Sequence, residues 1–319
     1  MRTLLVFIVL MGVCVVAIAK KAPDASPARF TAKVIDEDGK PLEGMSIVAQ
    51  FYSEEPRQKG CTDSNGFFVA ECKKAMLGEA GYSVNHNHRK SDYYESGGQY
   101  NFEKIVDGRW EPWSPVVTAV VRRIVNPISM YAKQVETMIP VTNSLCGYDL
   151  MVGDWVAPNG AGKISDMLFR VERTIVNIDD YNVDFKIVFT NRYDGFQSVL
   201  PFQKVTFTSP RFAPTNNYRA EYGRKMGRKP GRGSFNTDPL PEEYGVYRVR
   251  TVADDTGRIK SAYYGKITSG FRLAGYGAEK VTLIFTYYLN PTPNDRNLEF
   301  DPSNNLFKDL KDSERVSEP

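Results

Sequence analysis

The sequence contains very little histidine. Only two, His86 and His88, occur among its 319 residues. A serine or cysteine nucleophile activated by histidine would have to use one of them. The sequence also lacks a G-x-S-x-G motif, which marks the nucleophile of many α/β hydrolases. These two absences argue against a serine or cysteine hydrolase.

Cysteine is scarce as well, with four in the whole chain. Three of them, Cys61, Cys72 and Cys146, lie beyond the N-terminal apolar run, and an odd number cannot all pair in an oxidising compartment. Cys61 and Cys72 flank a predicted hairpin turn whose register would hold their sulfurs too far apart to bond. The sequence therefore predicts a fold held together by a hydrophobic core, without a disulfide framework.

Long apolar runs are limited to the N-terminus. After Arg2, an uncharged stretch extends from Leu4 to Ala19 and ends in the small residues that signal peptidase requires. The stretch is shorter than the roughly 20 residues of a spanning helix. It predicts a signal peptide over residues 1–19, cleavage near Ala19, and a secreted or periplasmic mature chain without a transmembrane helix. A retained membrane anchor is the alternative.

Residues 28–126 show the alternation of antiparallel strands. Phe30, Ala32 and Val34 alternate with polar residues, and acidic turns at 36–41 and 63–66 interrupt the pattern. Period-two alternation bounded by Asp, Gly, Asn and Pro is typical of hairpins. The Asn126-Pro127 step predicts a boundary, because the residue before proline avoids helical conformation.

Two strings in this region carry a family resemblance. They are VIDEDGKPLEG at 34–44 and TDSNGFF at 62–68. The region at about 28–88 resembles the carboxypeptidase regulatory-like, or prealbumin-like, domain. The resemblance implies a small β-sandwich that serves as a spacer or binding unit and carries no catalytic residues. The aromatic, glycine-rich stretch 93–113 departs from the family pattern and is interpreted as an insertion.

The second half, 135–310, is also rich in strand patterns. Alternating runs surround Phe169, Phe185 and Val249, and an apolar strand is predicted from Val281 to Tyr288. This half resembles uncharacterised exported bacterial proteins. The predicted fold class is all-β, with a prealbumin-like sandwich followed by a second, sandwich-like β-rich domain. Residues 311–319 form a charged tail that we expect to fray.

Charge is unevenly distributed although the formal total is only +3, which argues against nucleic acid as a partner. The segment 211–235 has seven cations against one acid. Its prolines and glycines predict a long loop that either binds an anionic envelope polymer or remains solvated. The cations predicted to bind a ligand are Arg219, Arg224, Lys225, Arg228 and Lys229.

Aromatic and imidazole side chains provide two further candidate sites. Trp110, Trp113 and Trp155 are predicted to stack on a glycan if exposed, and to pack the sandwich ends if buried. His86 and His88 lie two residues apart and face one side of a strand. They would form half of a weak metal site with Asp92 or Glu95, or else two solvated side chains. No cofactor is predicted.

These features favour an exported, non-catalytic binding or structural protein. Its ligand would be a glycan, an envelope component or an exported protein. The alternative is an envelope-acting hydrolase that uses two carboxylates of the second domain, since glycoside cleavage requires such a pair. The candidates are Asp149, Asp154, Asp166, Glu172, Asp179 and Asp184.

Overall fold

The computed structural model describes residues 25–52, 56–76, 82–202, 204–237, 244–275 and 280–319. Almost all of its regular structure is strand, which confirms the predicted all-β fold class. Two short 3-10 helices occur in these ranges, Pro302–Asn304 and Asp312–Glu314. None of the described helices has the length and apolar character needed to cross a membrane. The predicted signal peptide, 1–19, lies outside the described residues.

The first part of the described chain forms a small sandwich. Its strands are β1 Ala25–Ile35, β2 Ser46–Phe51, β3 Gln58–Cys61, β4 Phe67–Met76, β5 Tyr82–Lys90, β6 Tyr93–Phe102, β7 Lys104–Val106, β8 Arg109–Glu111 and β9 Val116–Val120. One sheet has the order β4-β1-β9, with β9 parallel to β1, and the other has the order β3-β2-β5-β6. The strands β7 and β8 pair as a separate hairpin.

The two acidic turns of this sandwich connect different sheets, so the predicted hairpins are wrong. Asp36 and Asp63 each accept two backbone N–H bonds from the residues that follow. Gly66, three residues after Asp63, has φ +79°. Period-two alternation fixes the face of each residue but leaves the partner strand open. Cys61 and Cys72 therefore lie on different sheets, and both are free thiols.

Small side chains fill much of the first core. Alanine supplies five of the ten residues of its main cluster, which are Ala28, Phe30, Ala32, Ala49, Phe51, Ala70, Cys72, Ala75, Phe102 and Trp110. The Trp110 indole donates its Nε1–H to the Ala75 carbonyl at 3.1 Å. The stretch 93–113, interpreted as an insertion, thus supplies strands β6–β8 and a core side chain.

The rest of the described chain forms a larger pair of sheets, in agreement with the predicted second β-rich part of the fold. Its strands are β10 Tyr131–Met138, β11 Cys146–Asp149, β12 Asp154–Trp155, β13 Met167–Asn177, β14 Asp180–Val188, β15 Gly195–Ser198, β16 Glu221–Lys229, β17 Gly233–Thr237, β18 Gly245–Ala253, β19 Ile259–Ile267, β20 Arg272–Ala274 and β21 Thr282–Leu289. The first sheet has the order β10-β21-β19-β18-β15, with β20 on β21, and the second has the order β12-β11-β13-β14-β16-β17.

Aromatic rings fill the second core. Phe169 is fully buried and lies within 6.5 Å of the rings of Tyr148, Trp155, Phe185, Phe271 and Phe285. Many of these pairs meet edge to face or tilted, which aligns the ring quadrupoles favourably. Both sheets contribute rings, and the core therefore fixes the position of one sheet against the other.

The two sandwiches share a buried joint. Residues 204–206 of the second sandwich extend the edge of β6 through bonds from Gly97 N–H to the Lys204 carbonyl and from Thr206 N–H to the Glu95 carbonyl. The buried Arg122 guanidinium lies over the Phe202 and Phe207 rings, 4.9 and 4.3 Å from their centroids. Its donors reach the carbonyls at 207 and 209.

Glu299 completes the joint as a fully buried carboxylate. It accepts bonds from the Tyr94 hydroxyl, from the backbone N–H groups of Val125 and Asn126, and from the Arg211 guanidinium. Burial alone would raise the pKa of Glu299, but these four donors hold it below the ordinary value. Because the donors come from both sandwiches and from the connecting segment, the joint is over-determined and rigid.

The charged tail is packed in the structure, so the expectation that it frays is wrong. Glu314 forms an ion pair with Lys133 at 3.1 Å. Val316 packs against the cluster that contains Met130 and Phe300. The charge and composition of a chain end do not predict such contacts, because the contacts depend on which sheet surface lies nearby.

Candidate functional site

A surface cavity of about 600 Å³ lies where the two sheets of the second sandwich meet. We call it the corner cavity, and it is lined by Phe196, Gln197, Ser198, Asn217, Tyr218, Arg219, Glu221, Tyr222 and Gly223. The backbones of Phe196 and Arg219 bond to each other in both directions, at 3.0 and 2.9 Å. This single bridge joins β15 to the chain that leads into β16, and the cavity opens beside it.

The rings of the corner cavity are held in place. The Tyr218 hydroxyl donates to the Pro214 carbonyl at 2.7 Å, and Arg248 lies 4.6 Å from the ring centroid. The Phe196 ring contacts Tyr222 with a centroid distance of 5.6 Å. Tyr218 and Tyr222 therefore have fixed orientations, and they present a surface that a ligand can contact at little entropic cost.

The polar groups of the corner cavity balance in charge. The lining includes one cation, Arg219, and one carboxylate, Glu221, and Glu221 forms an ion pair with Lys186 at 2.8 Å. Amide and hydroxyl side chains come from Gln197, Ser198 and Asn217. Such a lining offers donors and acceptors to an uncharged, polar ligand.

The basic segment behaves differently from the predicted loop. Much of it forms the paired strands β16 and β17. Lys225, Arg228 and Lys229 form ion pairs with Asp184, Asp179 and Asp180, at 3.5, 3.0 and 2.7 Å. Arg224 donates to the Phe271 carbonyl. Of the five predicted cations, only Arg219 lines the corner cavity.

The tryptophans do not form a stacking surface. Trp110 and Trp155 are 1% and 4% exposed and belong to the two cores, so the buried one of the two predicted alternatives applies to them. Burial of a large apolar ring outweighs the surface role that its loop-like sequence context indicated. Trp113 is half-buried, and the Arg109 guanidinium lies 5.2 Å from its ring centroid.

The two histidines face one side of β5, as predicted, but they are buried and not solvated. His86 Nδ1 lies 3.1 Å from His88 Nε2, and His88 Nδ1 lies 3.0 Å from the Ser96 hydroxyl. Burial and Lys204 lower the pKa of His86 to about 4, and burial and His86 lower the pKa of His88 to about 3. Among the described residues, no group of three His, Cys, Asp or Glu is placed to hold a metal ion.

Two of the candidate carboxylates meet in the second sandwich. Arg250 donates to both oxygens of Asp166 and to Asp149. Burial raises the pKa of Asp166; Asp149 is also buried, but the N–H groups of Lys163 and Ile164 help to lower its pKa. Both carboxylates are closed to solvent, so a glycosidic bond cannot lie between them.

One other pair lies at open surface. Glu172 faces Asp184 across β13 and β14, and both line a depression of about 290 Å³. Each already has a basic partner, Arg170 for Glu172 and Lys225 for Asp184.

Sequence reasoning missed most of the corner cavity. Phe196, Tyr218 and Tyr222 are separated by up to 26 positions and lie on different chain segments. The cation-rich pattern at 211–235 marks a segment that contributes to the cavity, but the cavity is lined mainly by aromatic and uncharged polar side chains. A signal was present in the aromatics that interleave with Arg219, at 218 and 222.

No family model and no curated protein sequence matches this chain. Solved structures with local similarity include 3-chlorocatechol 1,2-dioxygenase from Rhodococcus opacus, with 13% identity, 33% of this chain and 63% of that chain covered, and a TM-score of 0.26. A DUF3823 family protein from Parabacteroides merdae has 9% identity, coverages of 84% and 100%, and a TM-score of 0.22. The major pilin subunit BcpA of Bacillus cereus has 10% identity, coverages of 81% and 95%, and a TM-score of 0.22. Such values leave the function to be argued from this chain's own residues.

Proposed function

We propose that this protein is an exported, non-catalytic binding protein that holds an uncharged saccharide in the corner cavity. The lining of that cavity is the observation that carries the proposal. A sugar ring offers apolar C–H faces to Tyr218 and Tyr222 and places hydroxyls at its rim. Gln197, Ser198 and Asn217 supply matching donors and acceptors. The volume falls within the range of small-molecule sites, roughly 300–1,000 Å³.

The buried joint supports a binding role for the whole chain. Arg122 and Glu299 hold the first sandwich rigidly against the second. The first sandwich would then act as a fixed spacer that presents the cavity at a set orientation. Export is supported by the apolar run before Ala19 and is tested by cell fractionation and by sequencing the N-terminus of the recovered protein.

The test is binding of the purified protein to a glycan array, followed by calorimetric titration with the best-bound saccharide. We expect Tyr222→Leu, which keeps apolar bulk but removes the ring, to weaken binding by about tenfold, the usual effect of losing an aromatic anchor. Tyr52→Ala is the matched control, because Tyr52 is an exposed tyrosine of the first sandwich. Equal affinity in the Tyr222 variant would contradict the proposal.

The hydrolase alternative is tested in the same samples. The open pair Glu172 and Asp184 is the arrangement that favours it. We expect the bound saccharide to be recovered intact after long incubation, as read by its anomeric proton signals. Cleavage that disappears in Asp184→Asn would establish the hydrolase and overturn the non-catalytic assignment.

A further inference from the structure

The far end of the larger sandwich carries three exposed β-branched side chains. Ile175, Val176 and Ile178 are 41%, 69% and 81% exposed. Along β13 the burial alternates and then gives way to four exposed residues at its end. The strand therefore projects beyond the core that organises its first half. Apolar side chains grouped at a projecting end mark an interaction surface more often than isolated ones do.

Neither the turn nor the core explains why apolar side chains occupy these positions. Ile178 lies in the tight turn between β13 and β14, where Asn, Asp or Gly is favoured. The turn is closed by Asn177, whose Oδ1 accepts the Asp179 N–H at 2.8 Å. Val176 lies at a register shift between Ile175 and Asn177, and such bulges redirect a side chain. Neither side chain is required by the turn or by the core.

A second turn lies beside the first and brings cations. Tyr181 pairs with Arg228, and Arg228 pairs with Ser234, so the turn at 230–232 is at the same end of the sheet. We call residues 173–182 and 225–236 the ribbon tip. It contains five cations, Arg173, Lys225, Arg228, Lys229 and Arg232, and two carboxylates, at 179 and 180. With Asp184, which pairs with Lys225 just outside these ranges, the net charge is +2.

We infer that the ribbon tip docks on the surface of an anionic lipid bilayer. Val176 and Ile178 would enter the boundary between head groups and acyl chains, and the surrounding cations would lie over the lipid phosphates. The charge excess matches an anionic surface. A water-soluble anionic polymer would match the cations but has no hydrocarbon phase to receive the two apolar side chains. The inference is independent of the corner cavity.

The experiment is co-sedimentation of the full protein with vesicles of phosphatidylglycerol and phosphatidylcholine, compared with phosphatidylcholine alone. We expect binding to the anionic vesicles only, and a loss of most binding as salt rises to 0.5 M, about where the Debye length shortens to a few ångströms. The double variant Val176→Asp/Ile178→Asp should bind at least tenfold more weakly. Arg232→Glu lowers the net charge by the same two units as the double variant but keeps the apolar pair, so it should weaken binding by a smaller factor.

Leu200→Asp is the matched control, since Leu200 is 78% exposed and lies outside the ribbon tip. It should bind the anionic vesicles as the parent protein does. Circular dichroism of every variant should show the parent's strand signal. Equal vesicle binding by the double variant would overturn the inference. So would retention on soluble polyphosphate that ignores the double substitution and competes fully with the vesicles, because that result would identify an anionic polymer as the partner.

Discussion

The two sandwiches of this chain reach a buried core by different chemical routes. Alanine supplies five of the ten side chains in the main cluster of the first sandwich. Beside this cluster, His86 and His88 form a hydrogen-bonded pair, and the His86 ring stacks on Phe30 with 5.0 Å between the ring centroids. The second is packed by rings that converge on Phe169. The buried imidazoles of the first core must remain uncharged, whereas a core of rings depends on buried apolar area. The first should therefore respond to pH and the second to truncation.

The largest effect is expected from truncation in the second core. Phe169→Ala removes a fully buried ring that contacts five others and should lower the free energy of unfolding by about 3–5 kcal/mol. Urea denaturation followed by tryptophan fluorescence measures it, because Trp155 lies against that ring. Phe212→Ala, at an exposed phenylalanine, is the control and should stay within about 0.5 kcal/mol of the parent. A small effect of Phe169→Ala would show that the rings are not the source of stability.

The next effect is expected at the joint. Glu299→Ala removes the acceptor of Arg211 and Tyr94 and leaves both donors without their buried partner. The cost should be about 3 kcal/mol, as for one member of a buried ion pair. Because the joint couples the two sandwiches, the variant should unfold in two calorimetric transitions instead of one.

Glu314→Ala is the control for that experiment, since it removes an ion pair to Lys133 within the second sandwich and leaves the joint intact. It should unfold like the parent. A single transition for Glu299→Ala, at an unchanged midpoint, would mean that the two sandwiches do not depend on this carboxylate for their coupling.

The class of fold could be predicted from the sequence, but the topology could not. Alternation at Phe30 to Val34 and at Val183 to Phe189 identifies strands and their buried faces correctly. The partner of each strand is decided by packing between distant segments. For this reason the sequence predicts hairpins at Asp36 and Asp63, although each of these turns crosses from one sheet to the other.

The candidate site was predictable only in part. The charge pattern predicts Arg219 as a ligand-binding residue, and the structure places it in the corner cavity beside Tyr218 and Tyr222. Three neighbouring cations form ion pairs with aspartates of β14 and its preceding turn, because β16 pairs with β14 along nearly its whole length. Trp110 and Trp155 showed that composition cannot distinguish an exposed ring from a buried one. Cross-strand pairing and burial, which depend on the assembled sheets, decided both outcomes.

A pH scan sharpens the comparison between the cores. Both imidazoles have a folded pKa below 6.5, about 4 for His86 and about 3 for His88, so the folded state binds fewer protons than the unfolded state in acid. Their stabilising contribution is complete above pH 6.5 and is lost as the pH falls toward 3. At pH 5 each imidazole should lower the free energy of unfolding by about 2 kcal/mol relative to pH 7.5.

The scan is read against His86→Leu/His88→Leu, in which only the carboxylates still titrate in this range. The parent should lose more stability between pH 7.5 and 5 than this variant does, by urea midpoint at each pH. Parallel profiles would show that the imidazoles are already exposed to solvent in the folded protein.

The smallest effect is expected at a type of turn that occurs in both sandwiches. Asp63→Ala removes the acceptor of the Asn65 and Phe67 N–H groups, which water can then reach, so the loss should be only about 1 kcal/mol. Asp254 accepts the N–H groups of Thr256 and Arg258 in the same geometry, with Gly257 at φ +85°. If the joint makes the sandwiches unfold together, Asp63→Ala and Asp254→Ala should move the urea midpoint in the same direction and by a similar amount. Unequal shifts would show that the sandwich with the smaller core unfolds first, and that the joint holds the folded domains in position without sharing their stability.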